Sequence, residues 1–256
     1  MNALAVLAGV AIGLVQGLIG GGGSVLGVPA LIYVVGVGDP HVAIGTSALA
    51  VAISALASLL AYVRSGHVKW RCGLAFTLAG ILGAAAGSSL GKSFPGDRLI
   101  SLFGVLMIAV ALAMAIGRPI GGNASVRLEA KSAARLAPWL LLYGAGVGFM
   151  SGFFGIGGGF LAVPGLLMAT DMPLVFAIGT SLISVAAFGM ATALNYAVSG
   201  LVDWGVAALF LSGGVLGGMA GTGFARALSS RRHGLSLVFA VIVALVGVFL
   251  VIKAKP

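Results

Sequence analysis

The sequence predicts an all-α integral membrane protein built from two inverted-topology repeats, with broken or re-entrant helices at two glycine-rich motifs. Three observations lead to this fold class. Of the 256 residues, 60% are hydrophobic and only 7% are charged, whereas a soluble domain carries about 25% charged residues. The two halves of the chain repeat each other, and each half carries a dense glycine cluster inside a hydrophobic stretch. We therefore expect a multi-pass protein of the lipid bilayer.

Ten apolar segments divide the chain into two groups of about five. They cover about 3–19, 24–37, 42–63, 71–91, 98–117, 138–154, 159–170, 174–198, 205–225 and 234–252. A helix needs about 20 residues to cross the hydrocarbon core, so 24–37 and 159–170 are too short to span it. Together with the segment before it, each short segment forms either a re-entrant hairpin or a steeply broken helix. The sequence does not separate these alternatives.

The two halves of the chain are copies of each other, related by a shift of 134 or 135 positions. The five-residue run at 43–47 recurs at 177–181. Glycines keep their spacing between the halves: Gly9, Gly13 and Gly17 fall on Gly144, Gly148 and Gly152. We therefore divide the chain into membrane repeat 1 at 1–117, a basic cytoplasmic linker at 118–137 and membrane repeat 2 at 138–256.

The glycine clusters are the features of the repeats that predict function. The first runs through Gly20–Gly23 to Ser24, the second through Gly155 to Gly157–Gly159, and a Val-Pro pair follows each. Polyglycine unwinds a membrane helix, which lipid tolerates only where the exposed backbone is buried in protein or lines a cavity. A matched pair of such breaks is typical of a transporter binding site. Free N–H groups at a helix N-terminus favour an anion.

Polar side chains in the neighbouring helices complete the predicted site. Each half carries a Thr-Ser pair in its next long segment, and Asn195 is the one strongly polar residue deep in a long segment. Ser and Thr in membrane helices also bond to their own backbone, and this alternative stays open for both pairs. The predicted substrate-binding residues are Gly20, Gly22, Gly23, Ser24, Thr46, Ser47, Gly155, Gly157, Gly158, Gly159, Thr180, Ser181 and Asn195.

Other glycines and aromatic residues predict packing and anchoring. Glycines four residues apart, such as Gly9, Gly13 and Gly17, are typical of helix-packing surfaces in membranes. Aromatic residues at segment ends are expected to anchor the helices at the membrane interface. These are Tyr62, Trp70, Tyr196 and Trp204.

Positive charge predicts the orientation of the chain. If the halves are inverted, ten Lys and Arg residues lie on one side and four on the other, and the cytoplasmic side carries the excess. The linker is then cytoplasmic, and both termini lie in the periplasm. The net charge of +9 does not predict nucleic-acid binding, because nearly all of the basic residues occupy short gaps between apolar segments.

The acids, histidines and cysteine argue against catalysis and metal binding. All five acids and all three histidines fall in loops or at segment ends, and Cys72 is the only cysteine. The chain has no zinc-protease, nucleophile-elbow or phosphate-loop motif. We therefore predict no enzyme activity, no cofactor and no metal site. Asp39 and Asp171 recur in the two halves and either cap the following helix or bind a coupling ion.

On the paired motifs at 20–29 and 155–164 and on the two Gly-Thr-Ser triplets, the chain resembles the sulfite exporter TauE/SafE family of membrane permeases. The resemblance covers essentially the whole chain. It implies transport of small, often sulfur-containing anions, such as sulfite or organosulfonates, across the bacterial inner membrane. One departure is that Ser24 stands where the second repeat has Gly159.

We therefore expect a secondary transporter that exports a small anion by alternating access. A membrane core without carboxylates suits export, because an anion leaves a negative cytoplasm without a coupling ion. Sodium-coupled import is the alternative direction. A passive anion channel and a non-transporting membrane scaffold for a partner enzyme are the alternative functions. The expected partners are a small anionic substrate and the lipid bilayer, and a homo-oligomer is left open.

Overall fold

A computed structural model describes residues 2–19, 21–116, 130–227 and 232–253, and within these ranges every regular element is helical. The first half contains α1 (Asn2–Ile19), a 3-10 helix (Gly21–Leu26), α2 (Gly27–Ala30), a π-helical turn (Leu31–Val35), α3 (Pro40–Arg64), α4 (Trp70–Lys92) and α5 (Gly96–Ile116). The second half contains α6 (Ala130–Phe154), α7 (Gly159–Thr170), α8 (Leu174–Val198), α9 (Trp204–Ala227) and α10 (Arg232–Lys253). Each of the ten predicted apolar segments falls on a helical stretch.

The lengths and composition of these helices agree with an integral membrane protein. Within the described ranges, five stretches are long and apolar enough to cross a membrane: Pro40–Arg64, Trp70–Lys92, Ala134–Phe154, Leu174–Val198 and Trp204–Phe224. Helix α6 begins at Ala130, inside the predicted linker. The rest of that linker, residues 118–129, lies outside the described residues.

The two repeated aspartates cap helices in different ways. Asp39 is the N-cap of α3, and its carboxylate accepts a hydrogen bond from the N–H of His41 at 2.8 Å. Pro40 at the first helical position suits this start, since it has no N–H to satisfy. Capping of the following helix is therefore confirmed for Asp39. It is wrong for Asp171, which ends α7 in the left-handed conformation at φ 55°, whereas Pro173 precedes α8.

The first glycine break turns the chain back along α1. After Ile19 the backbone tightens into the 3-10 helix, and the π-helical turn ends at Gly36 with φ 87°. Leu31 and Val35 are buried in one cluster with Ala5 and Ile12 of α1. Of the two alternatives left open by the sequence, the structure has the folded-back hairpin, because a helix continuing straight on could not return to Ala5.

The second break makes the equivalent hairpin from α6 and α7. Leu166 and Ala169 of α7 are buried in one cluster with Leu140 of α6. Gly165 faces Val147, again on α6. Helix α7 therefore runs back along the helix that precedes it.

Each hairpin packs against the opposite half of the chain through glycine surfaces. Helix α1 packs along α9, and α6 packs along α4. In the first pair, Gly9, Gly13 and Gly17 meet Phe210, Gly214 and Gly218 in the same order, so the helices run parallel. In the second pair, Gly80, Gly83 and Gly87 meet Gly144, Ala145 and Phe149, again in parallel. The predicted packing role of these glycines is confirmed, because a Cβ at Gly9, Gly13 or Gly17 would strike the partner's backbone.

Helices α3 and α8 form the centre of the bundle. Gly45 meets Tyr196, Gly189 meets Ala52 and Gly179 meets Tyr62, so the two helices run antiparallel. Contacts also give the directions of their neighbours. Ser54 and Ser58 of α3 meet Gly214 and Gly218 of α9 in parallel, and Gly73 and Gly80 of α4 meet Thr180 and Phe188 of α8 in parallel. Helices α1, α3 and α9 therefore point one way, and α4, α6 and α8 point the other.

Candidate functional site

The two glycine breaks meet inside the bundle. The 3-10 helix Gly21–Leu26 packs against α7, the helix that follows the second break, and it also contacts α3 and α8. Val25 and Val28 from the first hairpin share one buried cluster with Ile156 and Phe160 from the second. The two hairpins that follow the glycine breaks therefore contact each other in the core.

The second break is a turn of left-handed glycines. Gly155, Gly157 and Gly158 have φ values of 67°, 63° and 74°, a conformation that costs other residues roughly 1–2 kcal/mol. The neighbours leave no space for side chains either. A Cβ on Gly157 would lie 2.9 Å from Cγ1 of Val51, and a Cβ on Gly155 would strike Ile44. Both backbone geometry and packing therefore require glycine here.

This turn leaves a row of backbone donors at the start of α7. In the described part of the chain, the N–H groups of Gly157, Gly158 and Gly159 donate no hydrogen bond. The N-cap Gly158 supplies no side chain to cap the helix. The N-terminus of a helix carries about half a positive charge from the helix dipole. The arrangement is that of an anion-binding helix start.

Ser151 adds a side-chain donor to the same place. Its Oγ lies 2.9 Å from the position that a Cβ on Gly158 would take. Ser151 is fully buried, and its hydroxyl has no hydrogen-bond partner. A buried hydroxyl without a partner costs about 1–3 kcal/mol, so this position calls for an acceptor. Ser151 is not among the substrate-binding residues predicted from the sequence.

The first break has a different local chemistry. Gly23 and Ser24 are buried, and a Cβ on Gly23 would lie 2.5 Å from the N of Gln16 and the O of Ile12. The backbone of Gly22 lies in the 3-10 helix, and Gly20 lies outside the described residues. Glycine is therefore required at Gly23 for close approach of two chain segments.

Gln16, the repeat counterpart of Ser151, is fully engaged. Its Nε2 donates to the carbonyl of Val51 at 3.3 Å, and its Oε1 accepts a hydrogen bond from Ser54 at 2.8 Å. The same position just before each break is thus satisfied in the first half and unsatisfied in the second. This difference follows from side-chain length, since glutamine reaches α3 and serine does not reach a partner.

The Thr-Ser pairs hold loops of the opposite half. Thr46 Oγ1 accepts a hydrogen bond from the N–H of Asp203 at 3.0 Å, and Thr180 Oγ1 accepts one from the N–H of Lys69 at 2.9 Å. Both donors stand at the start of the next long helix of the other repeat. Ser47 and Ser181 bond back to the carbonyls three residues earlier, Ile44 and Ile178. The threonines therefore position α9 and α4 in a symmetrical way.

Asn195 lies in the last turn of α8 and bonds to α4. Its Nδ2 donates to Ser88 at 2.6 Å and to Ser89 at 2.9 Å, and its Oδ1 accepts from Lys92 Nζ at 2.6 Å. The structure therefore joins Asn195 to the end of α4.

Two of the predicted interface anchors are internal. Tyr62 and Tyr196 are buried, at 8% and 0% exposure, so the anchoring prediction is wrong for both. Glycines opposite them, Gly179 and Gly45, let the central helices close over the rings. Trp70 and Trp204 are exposed, at 47% and 65%, as an interface position requires.

The electrostatics of the described core favour anions. The four described acids, Asp39, Asp97, Asp171 and Asp203, are all exposed and lie at helix ends or in loops. Among the residues described, no three His, Cys, Asp or Glu side chains come together as a metal site would need. An anion at the second break would therefore meet donors and a positive dipole without a nearby carboxylate to repel it.

Comparison with known proteins gives one family. The family described as "Sulfite exporter TauE/SafE" matches residues 5–250 of the chain. A "Probable membrane transporter protein" of Xylella fastidiosa (strain Temecula1) is 47% identical over 241 residues, which cover 94% of this chain and 91% of that protein. "Probable membrane transporter protein YunE" of Bacillus subtilis (strain 168) is 29% identical over 259 residues, which cover 94% of each. No solved structure matches the chain.

The family match agrees with the structure, in which five helical stretches are long and apolar enough to cross a membrane. The family match spans nearly the whole chain. The two relatives carry the name of probable membrane transporter proteins, and the chain matches almost their full length. The resemblance found in the sequence is thereby confirmed, and the chain belongs to the sulfite exporter TauE/SafE family of membrane transporters.

Proposed function

We propose that this protein is a secondary transporter that carries a small anion through a site at the second glycine break. The observation that carries the proposal is the set of unpaired donors at the start of α7: the N–H groups of Gly157–Gly159 and the hydroxyl of Ser151. Hydrogen bonds from such groups to a charged acceptor are about twice as strong as those between neutral groups. From the other hairpin, Gly22, Gly23 and Ser24 close the site, because the 3-10 helix that holds them packs against α7.

Apolar walls make these donors effective. Val51 and Phe188 pack against Gly157 and Gly158, and both side chains are buried. Excluding water lowers the local dielectric constant and strengthens the attraction between an anion and fixed dipoles. The same walls would reject a cation, because no carboxylate is there to pair with it.

The two halves act as inverted repeats in this proposal. The directions of the helices support it, because α1 and α3 run opposite to their counterparts α6 and α8. The excess of basic residues on one side supports a cytoplasmic linker and periplasmic termini in a bacterial inner membrane. Cysteines introduced at Asn123 and Asp203, after Cys72→Ser, are expected to react with impermeant reagents from opposite sides. Labelling of both from the same side would contradict the inversion.

Alternating access then moves units that mix the two halves. The glycine contacts fix α1 to α9 and α6 to α4, with almost no side-chain volume between the backbones. Each hairpin therefore moves with a helix of the other half, and the two mixed units rock about the α3–α8 pair. This differs from rocking one sequence half against the other, because the strongest contacts cross between halves.

The substrates proposed are small, sulfur-containing oxyanions such as sulfite or organosulfonates, and the direction proposed is export. One charge crossing 100 mV releases or costs about 2.3 kcal/mol, and a dianion about 4.6 kcal/mol. A cytoplasm at negative potential thus drives anions outward without a coupling ion. The exposed position of every described acid agrees with such uncoupled movement.

Flux in liposomes tests this function. Purified protein is expected to give saturable sulfite efflux that speeds up when a potassium diffusion potential makes the interior negative. Conductance far above carrier turnover would identify a passive anion channel. An absence of flux for sulfite, thiosulfate and sulfonates, together with a stable co-purifying protein, would identify a scaffold and overturn the proposal.

A further inference from the structure

Two polar side chains, those of Lys92 and His41, flank the buried ring of Tyr196 at the end of the bundle where α4 and α8 finish and α3 begins. Lys92 Nζ lies 5.9 Å from the centre of the Tyr196 ring, and the His41 ring centre lies 6.3 Å from it. These residues come from α4, α8 and α3. None of them is among the donors named at the second break, although Tyr196 shares one buried cluster with Ile156 and Phe160, and we call them the Lys92 station.

Two of the three residues carry unpaired polar atoms. Tyr196 is fully buried, and its Oη has no hydrogen-bond partner. The Nδ1 atom of His41 is also buried and unpaired. Among the described residues only five buried side-chain atoms lack a partner, and this cluster holds two of them. Such atoms are rare enough in folded proteins that a missing ligand is a physical explanation for them.

The third residue brings a positive charge that meets only neutral acceptors. Lys92 Nζ donates to Asn195 Oδ1 at 2.6 Å, to the Asn195 carbonyl at 3.1 Å and to Ser199 Oγ at 2.8 Å. No carboxylate is among them, and Lys92 is half-buried. If an anionic oxygen of a ligand replaced Ser199 Oγ as an acceptor, Lys92 would gain a hydrogen-bond partner of opposite charge and a stronger bond.

The hydrogen bond of His41 indicates which proton it carries. Its Nε2 lies 3.1 Å from the carbonyl oxygen of Phe94. A carbonyl oxygen only accepts, so Nε2 is the donor in this bond, and in the tautomer that carries its single proton on Nε2 the Nδ1 atom is an acceptor. The Lys92 station therefore offers two donors, Lys92 and Tyr196, and one acceptor.

We propose that the Lys92 station binds a singly protonated oxyanion, such as hydrogen sulfite, at the mouth through which the transported anion passes. This inference rests on the proposed function. The charged oxygens of the ligand accept hydrogen bonds from Lys92 and Tyr196, and its O–H donates to Nδ1 of His41. The station thereby prefers an anion that still carries a proton over one of equal charge that carries none.

The repeat shows that this preference belongs to one end of the bundle. The counterparts of Lys92, Tyr196 and His41 are Arg226, Tyr62 and Val175. Tyr62 Oη donates to the carbonyl of Gly17 at 3.4 Å, whereas Tyr196 Oη has no acceptor. The other half thus lacks the histidine acceptor and holds its tyrosine in an internal bond. In the proposed orientation of the chain, the Lys92 station lies on the periplasmic side.

Calorimetric titration of the purified full-length protein tests the station. The probes are sodium sulfite at a pH where hydrogen sulfite is present, and sodium methanesulfonate, which has the same charge and no proton to donate. A Gly157→Val background isolates the station from the glycine break. In that background we expect Lys92→Met and Tyr196→Phe each to weaken hydrogen sulfite binding by about tenfold. Lys92→Arg should restore most of the affinity.

His41→Val, which copies the residue of the other half, separates the acceptor from the charge. It is expected to remove the preference for hydrogen sulfite over methanesulfonate and to leave methanesulfonate binding unchanged. Lys253→Met is the control for net charge, because Lys253 lies over Tyr33 and Phe249, away from the station. It should change neither affinity.

The outcomes separate this inference from the proposed function. Unchanged hydrogen sulfite affinity in folded Lys92→Met and Tyr196→Phe, with sulfite flux intact in the wild type, would overturn the station alone. The station alone would also be overturned if the Gly157→Val protein bound neither probe while the wild type bound hydrogen sulfite. If the wild type neither binds nor transports either probe, the proposed function fails and the station fails with it. Tyr196→Phe is expected to fold normally, since it removes an unpaired hydroxyl.

Discussion

The two glycine breaks occupy equivalent places in the repeats and yet differ in backbone conformation and hydrogen bonding. The first forms a 3-10 helix in which Gly23 lets the chain pass against the backbone of Ile12 and Gln16. The second forms a turn of left-handed glycines whose N–H groups, at Gly157–Gly159, find no acceptor among the described residues. One break is defined by close approach, and the other by exposed donors.

The residue before each break accounts for part of this difference. Gln16 satisfies both ends of its amide with α3, whereas Ser151 leaves its hydroxyl open beside Gly158. Duplicated halves can thus keep one backbone plan and still place their chemistry in one copy. The following changes test that division, from the largest expected effect to the smallest.

Gly157→Val is expected to reduce anion flux to background. Valine is strained at φ 63°, and its Cβ would lie 2.9 Å from Val51. Gly22→Val should also abolish flux, because the 3-10 helix packs against α7. Gly146→Val on α6 is the control, since nothing lies within 4 Å of its Cβ position. Liposome flux and membrane insertion are measured together; full flux in Gly157→Val would exclude the second break as the site.

Gly13→Leu and Gly148→Leu should lower the thermal unfolding midpoint by similar amounts. These equivalent glycines touch the backbones of Gly214 and Gly80, and overpacking of this kind costs about 1–3 kcal/mol. Gly223→Leu, where the space is open, is the control. Unequal losses in the two variants would show that the α1–α9 and α6–α4 pairs do not contribute equally to the stability of the protein.

Ser151→Ala and Gln16→Ala should have opposite signatures. Ser151→Ala is expected to weaken sulfite affinity by about tenfold and to raise the unfolding midpoint, because it removes a buried hydroxyl that bonds to nothing in the free protein. Gln16→Ala should keep the affinity and cost about 1–3 kcal/mol of stability, since it removes the two hydrogen bonds that join the Gln16 side chain to α3. Titration calorimetry and thermal unfolding separate the two effects. Equal effects would contradict the division between the breaks.

Thr46→Val and Thr180→Val are expected to have the smallest effects. Each removes one hydrogen bond to the start of the opposite half's helix, which is worth about 1 kcal/mol. Thr→Ser at either position should restore it. A large loss of sulfite affinity, measured by calorimetry, would instead make these threonines direct ligands, as their positions in the sequence predicted.

Helix positions were predictable because they depend on local composition. Lipid forces each spanning stretch to be long, apolar and internally hydrogen-bonded, so all ten segments could be found by length and hydropathy. The packing role of Gly9, Gly13 and Gly17 followed from their spacing for the same reason. Burial of Tyr196 could not be found this way, since a tyrosine near a helix end suits both the interface and the core.

The roles of individual polar residues were harder to predict. Asp39 and Asp171 stand at equivalent positions, yet one begins a helix and the other ends one. Gln16 and Ser151 occupy matched positions before the two breaks. The difference in their hydrogen bonding could not be predicted, because the sequence does not show how far a side chain must reach to find a partner. In the sequence, Lys92 is one charge at a segment end. Nothing in the sequence places Lys92 and His41 beside the ring of Tyr196.

The sequence by itself determined the membrane class, the duplication, the positions of the helices and the two places where the chain must break. These depend on hydropathy, length and glycine content, which act over a few turns of chain. Only the tertiary structure decided that each break folds back into a hairpin and that each hairpin packs against a helix of the other half. It also decided that the N–H groups of the second break find no acceptor among the described residues. Those outcomes depend on which surfaces meet across the bundle, and contacts between distant residues leave no local signal in the sequence.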